Sequence, residues 1–350
     1  MRLEYQRPPV RVAVVGLGRS FFSSHYPVFK AHPALFKVVA ACDIIKERRD
    51  MIAGDFPDCK MFRRFSDMLD ERDIDLVDIA TCSTDHVKHA LMSLERGLWT
   101  LLESPMALTL DDAQLLRGAA TKAKNRLLVL QRGLFAPDFL LAKSVMGDPR
   151  LGEIYQICIR RDDWQTVKRL GGGAAYYAMT DLILQALKIL PQPPIQMWSE
   201  LKRVASLGDA EDYAHVNLKT RTQISADIEF NGGVLPPSRS PSFMIRGERG
   251  VFSVNADSPS GTLTVVDPEY RFSRRRSSVR TPPLADMHED VPVVTCEVSL
   301  PKDTLHGPSA FWKCVYDSVR TAAPFPLQLE DSIEAVKFAH LMKKTSPFGS

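Results

Sequence analysis

The stretch VAVVGLGRSF, Val12–Phe21, decides the fold. Its apolar run carries no polar alternation, as suits a strand covered on both faces. It ends in Gly16 and Gly18, and a helix-like pattern follows. In that setting Gly16 permits a tight turn. Gly18 lets the backbone approach a pyrophosphate held at the helix N-terminus, with Arg19 beside it. The third position of the fingerprint is Phe21 instead of a small residue. Two glycines also suit a purely structural turn, so the flanking strand and helix carry the inference. Asp43 closes the next apolar run, a little over ~20 residues past the glycines, where an acid binds ribose hydroxyls. It is equally placed to cap the helix that follows. A carboxylate there favours NAD by repelling the extra phosphate of NADP, whereas Arg48 and Arg49 keep NADP open.

Outward from that turn the pattern repeats. Arg11–Gly18, Phe36–Asp43, Ile74–Cys82, Leu98–Glu103 and Arg126–Gln131 read as buried strands. Helical patterns at Ser20–His32, Ile45–Gly54, Asp85–Arg96 and Asp111–Lys124 separate them. Strands alternating with helices predict a parallel, doubly wound α/β sheet, a Rossmann dinucleotide-binding domain over residues 1–131. Residues 132–350 read as an α+β domain with an open, mostly antiparallel sheet. A helix followed by a turn lies within Ala136–Glu153, and GEIYQICIRRDDW, Gly152–Trp164, alternates like a half-buried antiparallel strand. Further strands are expected at Gln196–Ser206, Ala214–Lys219, Gln223–Phe230, Ser242–Arg246 and Leu263–Val266. A helix spans roughly Gly173–Leu190. Two closing helices, near Ser309–Arg320 and Ser332–Met342, are expected to pack back on the first domain.

The 350 residues exceed what one core usually serves, which agrees with two domains. A formal charge of +3 calls for no nucleic-acid or membrane partner. No apolar run approaches the ~20 residues of a membrane span. The N-terminus shows no signal-peptide pattern. The six cysteines, Cys42, Cys59, Cys82, Cys158, Cys296 and Cys314, have no metal-ligand spacing, so free thiols in the cytoplasm are expected. The segment Arg271–Asp290, with Arg274, Arg275 and Arg276, reads as an exposed loop.

Across nearly its whole length the sequence resembles the Gfo/Idh/MocA family of NAD(P)-dependent oxidoreductases. The stretches that carry the resemblance are VAVVGLG, DIDLVDIATCSTDHVKHALMSLERGLWTLLESPMALTLDDAQLL, GDPRLGEIYQICIRRDDW, GERGVFSV and PFPLQLEDSIEAVKFA. It implies a Rossmann domain followed by an open sheet whose face covers the nicotinamide, and a homodimer or homotetramer formed through that sheet. The family's usual Glu-Lys-Pro becomes Glu103-Ser104-Pro105 here. The resemblance makes Glu103 a residue that helps seat the cofactor and implies a cis bond before Pro105. It puts Ser104 where a lysine usually hydrogen-bonds the substrate oxygen. Thr81, Ser83 and His86 are implied beside the nicotinamide half, and Gln131 at the cleft edge. For His86 a structural hydrogen bond is an equal alternative.

The family's substrate helix is also altered. Aligned from Gly171, Gly172 and Gly173, Tyr177 takes the first Asp position, Met179 the Gly, Asp181 the His and Leu184 the last Asp. Positions 177, 181 and 184 share one helical face. Two functions follow from these substitutions. One is an oxidoreductase on a small sugar-like or carbonyl substrate, with Tyr177 and Asp181 replacing the lost proton handlers. The other is a catalytically degenerate nucleotide-binding regulator or scaffold. Open space lined by Tyr177, Asp181 and Ser104 would favour the first, and a plug of Tyr176, Tyr177 and Met179 the second. Arg160, Arg161, Lys168 and Arg169 hint at an anionic substrate, with surface placement the alternative for each.

Overall fold

The computed structural model describes residues 7–164, 173–205, 210–235, 240–271 and 290–345. Lys168, Arg169, Gly171, Gly172 and Arg274, Arg275 and Arg276 lie outside the described residues.

The first half alternates as the apolar runs require. Strands β1 (Val10–Val15), β2 (Phe36–Cys42), β3 (Lys60–Phe62), β4 (Leu76–Ile79), β5 (Trp99–Leu102) and β6 (Leu127–Val129) form one sheet. Its order is 3-2-1-4-5-6, and every neighbouring pair is parallel. Helices α1 (Tyr26–Ala31), α2 (Lys46–Ala53), α3 (Phe65–Leu69), α4 (Ser83–Glu95) and α5 (Leu110–Lys122) return the chain between strands. Reversal of strand order between β1 and β4 opens a crevice at the strands' carboxyl ends, where ligands bind in such sheets. Sequence reading overlooked β3 and α3. A three-residue strand shows no periodicity to detect.

Beyond β6 come α6 (Pro137–Val145), β7 (Ile154–Asp162), α7 (Gly173–Tyr177), α8 (Met179–Ile189), β8 (Pro194–Lys202), β9 (Tyr213–Thr220) and β10 (Ser225–Asn231). Next are β11 (Phe243–Gly247), β12 (Gly250–Val254), β13 (Ser260–Val266), β14 (Val293–Ser299), α9 (Gly307–Thr321) and α10 (Leu329–Lys344). The eight strands make one open sheet in the order 14-13-12-11-7-10-9-8. It is antiparallel except where β7 and β10 pair parallel. That corrects the antiparallel expectation for β7 on one of its two edges, because a crossover through α7 and α8 precedes the β8–β10 meander. Strands β12 and β14 were not foreseen as elements. One sheet face is apolar and buried, with Ile157, Ile159, Val216, Leu218, Ala226, Ile228 and Phe230 facing the helices. The other exposes Trp198, which pairs with Asn217. Among the described residues no helix is long and apolar enough to cross a membrane.

The two C-terminal helices reach back to the first sheet. Trp312 of α9 meets Phe29, Phe36 and His25 edge-on, with ring centroids 4.9, 5.3 and 5.6 Å away. Asp75 accepts from Arg11 and Arg320, clamping α9 to the start of β1. Burial would raise the Asp75 carboxyl, but these two guanidiniums outweigh it and hold it at about 2. On α10, Lys343 pairs with the buried Glu211 at 2.5 Å. Glu211 in turn accepts from Ala174 N and Ala175 N, both at 3.0 Å, and so anchors the start of α7.

Trp312→Ala removes the aromatic body that joins α9 to β2 and α1. Denaturant unfolding should show a loss of about 3–5 kcal/mol, as for other buried large-to-small changes. A loss below about 1 kcal/mol would mean that this contact is peripheral.

Candidate active site

The glycine turn has the geometry that its sequence promised. Gly16 has φ +91°, and a Cβ there would lie 2.6 Å from Thr81 N, so no other residue fits between β1 and β4. A Cβ on Gly18 would meet nothing nearer than Arg48 at 3.9 Å, so its backbone faces open space. Phe21, too large for the usual third position, is fully buried in a π turn, Phe21–His25, that precedes α1. The looser turn makes room for the ring, which stacks edge-on against Phe22 and Tyr26.

A cleft of about 1700 Å³ runs from this turn to the inner face of the second sheet. That exceeds the ~300–1,000 Å³ of a single drug-sized ligand. Gly16, Gly18, Arg19, Asp43, Thr81, Ser83, His86, Glu103 and Ser104 line it, as do Tyr177 and Asp181. Gln131 does not: it is buried beneath, and its Oε1 has no hydrogen-bond partner among the described residues. A residue two positions past β6 had turned inward before reaching the edge.

Asp43 is nearly buried. It accepts from Leu17 N and Ile45 N, both at 2.8 Å, and Arg48 lies 3.3 Å from it. Helix α2 starts at Lys46 with Ile45 as its cap residue, so Asp43 stabilises the approach to the helix and the glycine turn together, not the cap itself. Arg63, Arg64 and Ser66, just beyond β3, line the same end of the cleft. Sequence reading missed them because β3 itself was missed.

The most consequential group was also missed. His25 is fully buried, its Nδ1 2.8 Å from Asp78 and its Nε2 3.0 Å from Glu103. Burial would lower the imidazole, but the charges and hydrogen bonds of Asp78 and Glu103 hold it up, at about 10. His25 is therefore an imidazolium at neutral pH. Glu103, pushed up by burial, is pulled down to about 2 by His25, Arg132 and Ser20. Burial raises Asp78, against the pull of His25. Glu103 also accepts from Ser20 Oγ and, at 3.0 Å, from Ser104 N. Its role at the cofactor end is thus indirect. It ties Ser20, just past the glycine turn, to Ser104, just past β5. His25 stands nine positions past Gly16, and only its place within a run of Phe and Ser marked it in the sequence.

The Ser104–Pro105 bond is cis. His86 supports this turn, with Nδ1 2.8 Å from Pro105 O and Nε2 3.1 Å from Thr81 O. Burial lowers its pKa, opposed by those carbonyls, and both ring nitrogens serve structure. Thr81 Oγ1 lies 3.3 Å from His89 Nδ1.

The substrate helix differs from its expected course. A turn at Ala178 divides it into α7 and α8, yet Tyr177 and Asp181 both line the cleft, and only Leu184 departs from the expected face. Leu184 is in the core, and Gln185 lines the cleft in its place, donating to Gly133 O at 2.8 Å. Tyr176 and Met179 also turn into the core. Tyr177 stands edge-on to Phe230, with Arg161 6.0 Å from its ring centroid. Asp181 sits under Gly133, where a Cβ would come within 2.6 Å of its carboxyl. Burial raises its pKa, and the charges of Arg161 and Arg132 oppose the rise. Among the described residues no three His, Cys, Asp or Glu side chains group to hold a metal ion.

Comparison with known proteins agrees with this geometry. Residues 10–131 match an oxidoreductase family with an NAD-binding Rossmann fold. An uncharacterized oxidoreductase of Schizosaccharomyces pombe is 30% identical over 281 residues, 75% of this chain and 76% of the relative. The chain belongs to the Gfo/Idh/MocA family of oxidoreductases. Within the family, the scyllo-inositol 2-dehydrogenase (NADP(+)) of Bacillus subtilis is 22% identical over 352 residues, 96% of this chain and 94% of the relative. The fold is also that of the WlbA dehydrogenase of Chromobacterium violaceum, solved with NADH and UDP-GlcNAcA, at a TM-score of 0.75 and 20% identity. That likeness covers 99% of this chain and 96% of the other. Membership of this family accounts for the dinucleotide-binding turn.

The buried cluster gives a pH signature. Between 6.5 and about 10 the folded protein keeps a proton on His25 that the unfolded chain releases, so this stabilisation is full below pH 6.5 and is lost as pH rises through about 10. Glu103 contributes above its ordinary 4.5, and its share is lost as pH falls through about 2. The stability gap between wild type and His25→Gln should therefore be widest near pH 4.5–6.5, on the order of 3–5 kcal/mol, and narrow towards pH 10. Denaturant unfolding across pH measures it, and a pH-independent gap would dismiss the imidazolium.

Proposed function

We propose that this chain is an NAD(P)-dependent oxidoreductase acting on a hydroxyl or carbonyl of a small sugar-like substrate. One observation carries the reading: Tyr177, Asp181 and Ser104 line open space continuous with the glycine turn, while Tyr176 and Met179 lie in the core. The residues also fit the dinucleotide. Gly16 and Gly18 leave the backbone bare where a pyrophosphate would rest, and Ser20 opens the turn of helix behind them.

When bound, the nicotinamide supplies the hydride acceptor or donor. The protein's part is to orient the substrate and handle one proton. Ser104 presents a hydroxyl where a lysine is usual, and donates to the substrate oxygen without adding charge. Asp181 takes that oxygen's proton during oxidation and returns it during reduction. Its raised pKa makes the ionised form a stronger base than a solvated carboxylate. The Tyr177 hydroxyl holds the substrate in line with Asp181. Loss of such an acid/base group costs about 10²–10⁴ in rate. Steady-state assays of NAD(P)H against aldoses, inositols and ketoacids should thus find turnover that falls by that range in Asp181→Asn and by less in Tyr177→Phe. Rates unchanged in both variants would remove these roles.

The cofactor is NADP in preference to NAD. Asp43 is occupied by Leu17 N, Ile45 N and Arg48, which blunts its repulsion of a phosphate. Arg63 and Arg64 add positive charge at the same end of the cleft. Fluorescence titration should show tighter binding of NADPH than of NADH. A double Arg63→Ala, Arg64→Ala change should cut that preference by on the order of 10-fold or more. Equal affinities in the wild type would remove the preference, and tighter NADH binding would return it to NAD.

The second reading, a regulator or scaffold that binds the dinucleotide without turnover, is favoured by the replacement of the usual lysine by Ser104. It requires nucleotide binding with no activity on any member of the panel. Under either reading, the exposed face of the second sheet, with Trp198, is the surface through which a homodimer or homotetramer would form in the cytoplasm.

A further inference from the structure

Strand β7 closes on two adjacent arginines, and its register sends them to opposite faces. Arg160 lies beside Glu229 of β10, with its Nε 3.5 Å from the carboxylate, on the face away from the helices. Arg161 pairs with Phe230 and shares the inner face with Ile157 and Ile159, which points it into the cleft. It makes no ion pair with any described residue, and its nearest aromatic partner is the Tyr177 ring at 6.0 Å. Across the cleft, Arg132 leads the 3-10 turn after β6 and donates to Ser24 Oγ. Asp181 lies where the charges of both arginines reach it, and its Oδ1 is buried without a hydrogen-bond partner among the described residues.

The charges here do not balance on the protein's own groups. Glu103, the other carboxylate within reach of Arg132, already carries His25, Ser20 Oγ and Ser104 N. Two guanidiniums therefore flank the substrate end of the cleft with only Asp181 between them, and burial favours the neutral form of that acid. A planar guanidinium fork matches a carboxylate in two parallel hydrogen bonds. A phosphate would bring a second negative charge beside Asp181. A single negative charge suits the site better.

We propose that the substrate is a sugar acid, a uronic or aldonic acid whose carboxylate is held between Arg161 and Arg132 while its reacting hydroxyl or carbonyl meets Ser104, Tyr177 and Asp181. The position of the reacting oxygen rests on the oxidoreductase reading above. The carboxylate site does not require turnover.

The test compares matched pairs: D-galactose with D-galacturonate, D-glucose with D-glucuronate and D-gluconate, and D-glucose 6-phosphate as the phosphate arm. Binding to the NADP-loaded protein is measured by calorimetry and turnover by initial rates. At least one acid should bind about 10- to 100-fold tighter than its neutral partner, the range expected of a charge-assisted contact. Arg161→Gln and Arg132→Gln should each reduce that ratio about 10-fold or more, with dinucleotide affinity as the check on folding. Arg160→Gln, on the opposite face, should leave the ratio as it is. The proposal is overturned if acids bind no better than neutral sugars, if neither binds, if the phosphate binds tightest, or if the ratio survives both cleft variants. Acid preference in binding without any turnover would keep the carboxylate site and remove the oxidoreductase reading. Turnover confined to neutral sugars would do the reverse.

Discussion

Three buried charges hold the two halves of the crevice together. His25 comes from the π turn after β1, Asp78 from β4 and Glu103 from the end of β5. Neither carboxylate reaches bulk water, so each depends on the imidazolium to offset its desolvation. The cluster thereby fixes the spacing of three parallel strands at the point where strand order reverses. Trp312 packs edge-on against the same imidazole, so α9 reaches the cluster as well. Ser20, just past the glycine turn, and Ser104, just past β5, are both held by Glu103. The two turns share one carboxylate.

Along the cleft, charge is segregated. Arg48, Arg63 and Arg64 gather at the β2–β3 end, and Arg132 and Arg161 at the sheet end. Between them runs the glycine turn, where Gly18 presents backbone to the open cleft with no side chain. On the oxidoreductase reading proposed above, this division separates recognition of the nucleotide from recognition of the substrate, and Asp181 supplies the proton site that Ser104 lacks.

The parallel sheet was legible because its strands are buried on both faces, and such strands are continuous apolar runs. Gly16 was legible because positive φ and a 2.6 Å approach leave one residue type. His25 was not, since one histidine among phenylalanines and serines looks the same whether it fills a core or bridges two acids. Leu184 misled because helical spacing allows either i+3 or i+4 on a face, and on α8 the cleft runs along Asp181 and Gln185. Gln131 misled for a related reason: the end of a strand is known from its pattern, but the direction of the next two side chains is not. Arg160 and Arg161 were read as an undivided basic pair until pairing with Glu229 and Phe230 assigned them to different faces.

The alternation of the main strands and helices of the first domain and the glycine turn were determined by the sequence alone, because each depends on local periodicity or on a residue type at a known spacing. Tertiary structure alone decided which charges meet. Burial and charge pairing between residues far apart in the chain, such as His25 with Asp78 and Glu103, or Asp181 with Arg132 and Arg161, depend on distances that no local pattern records. For that reason the fold could be read before the chemistry of its site.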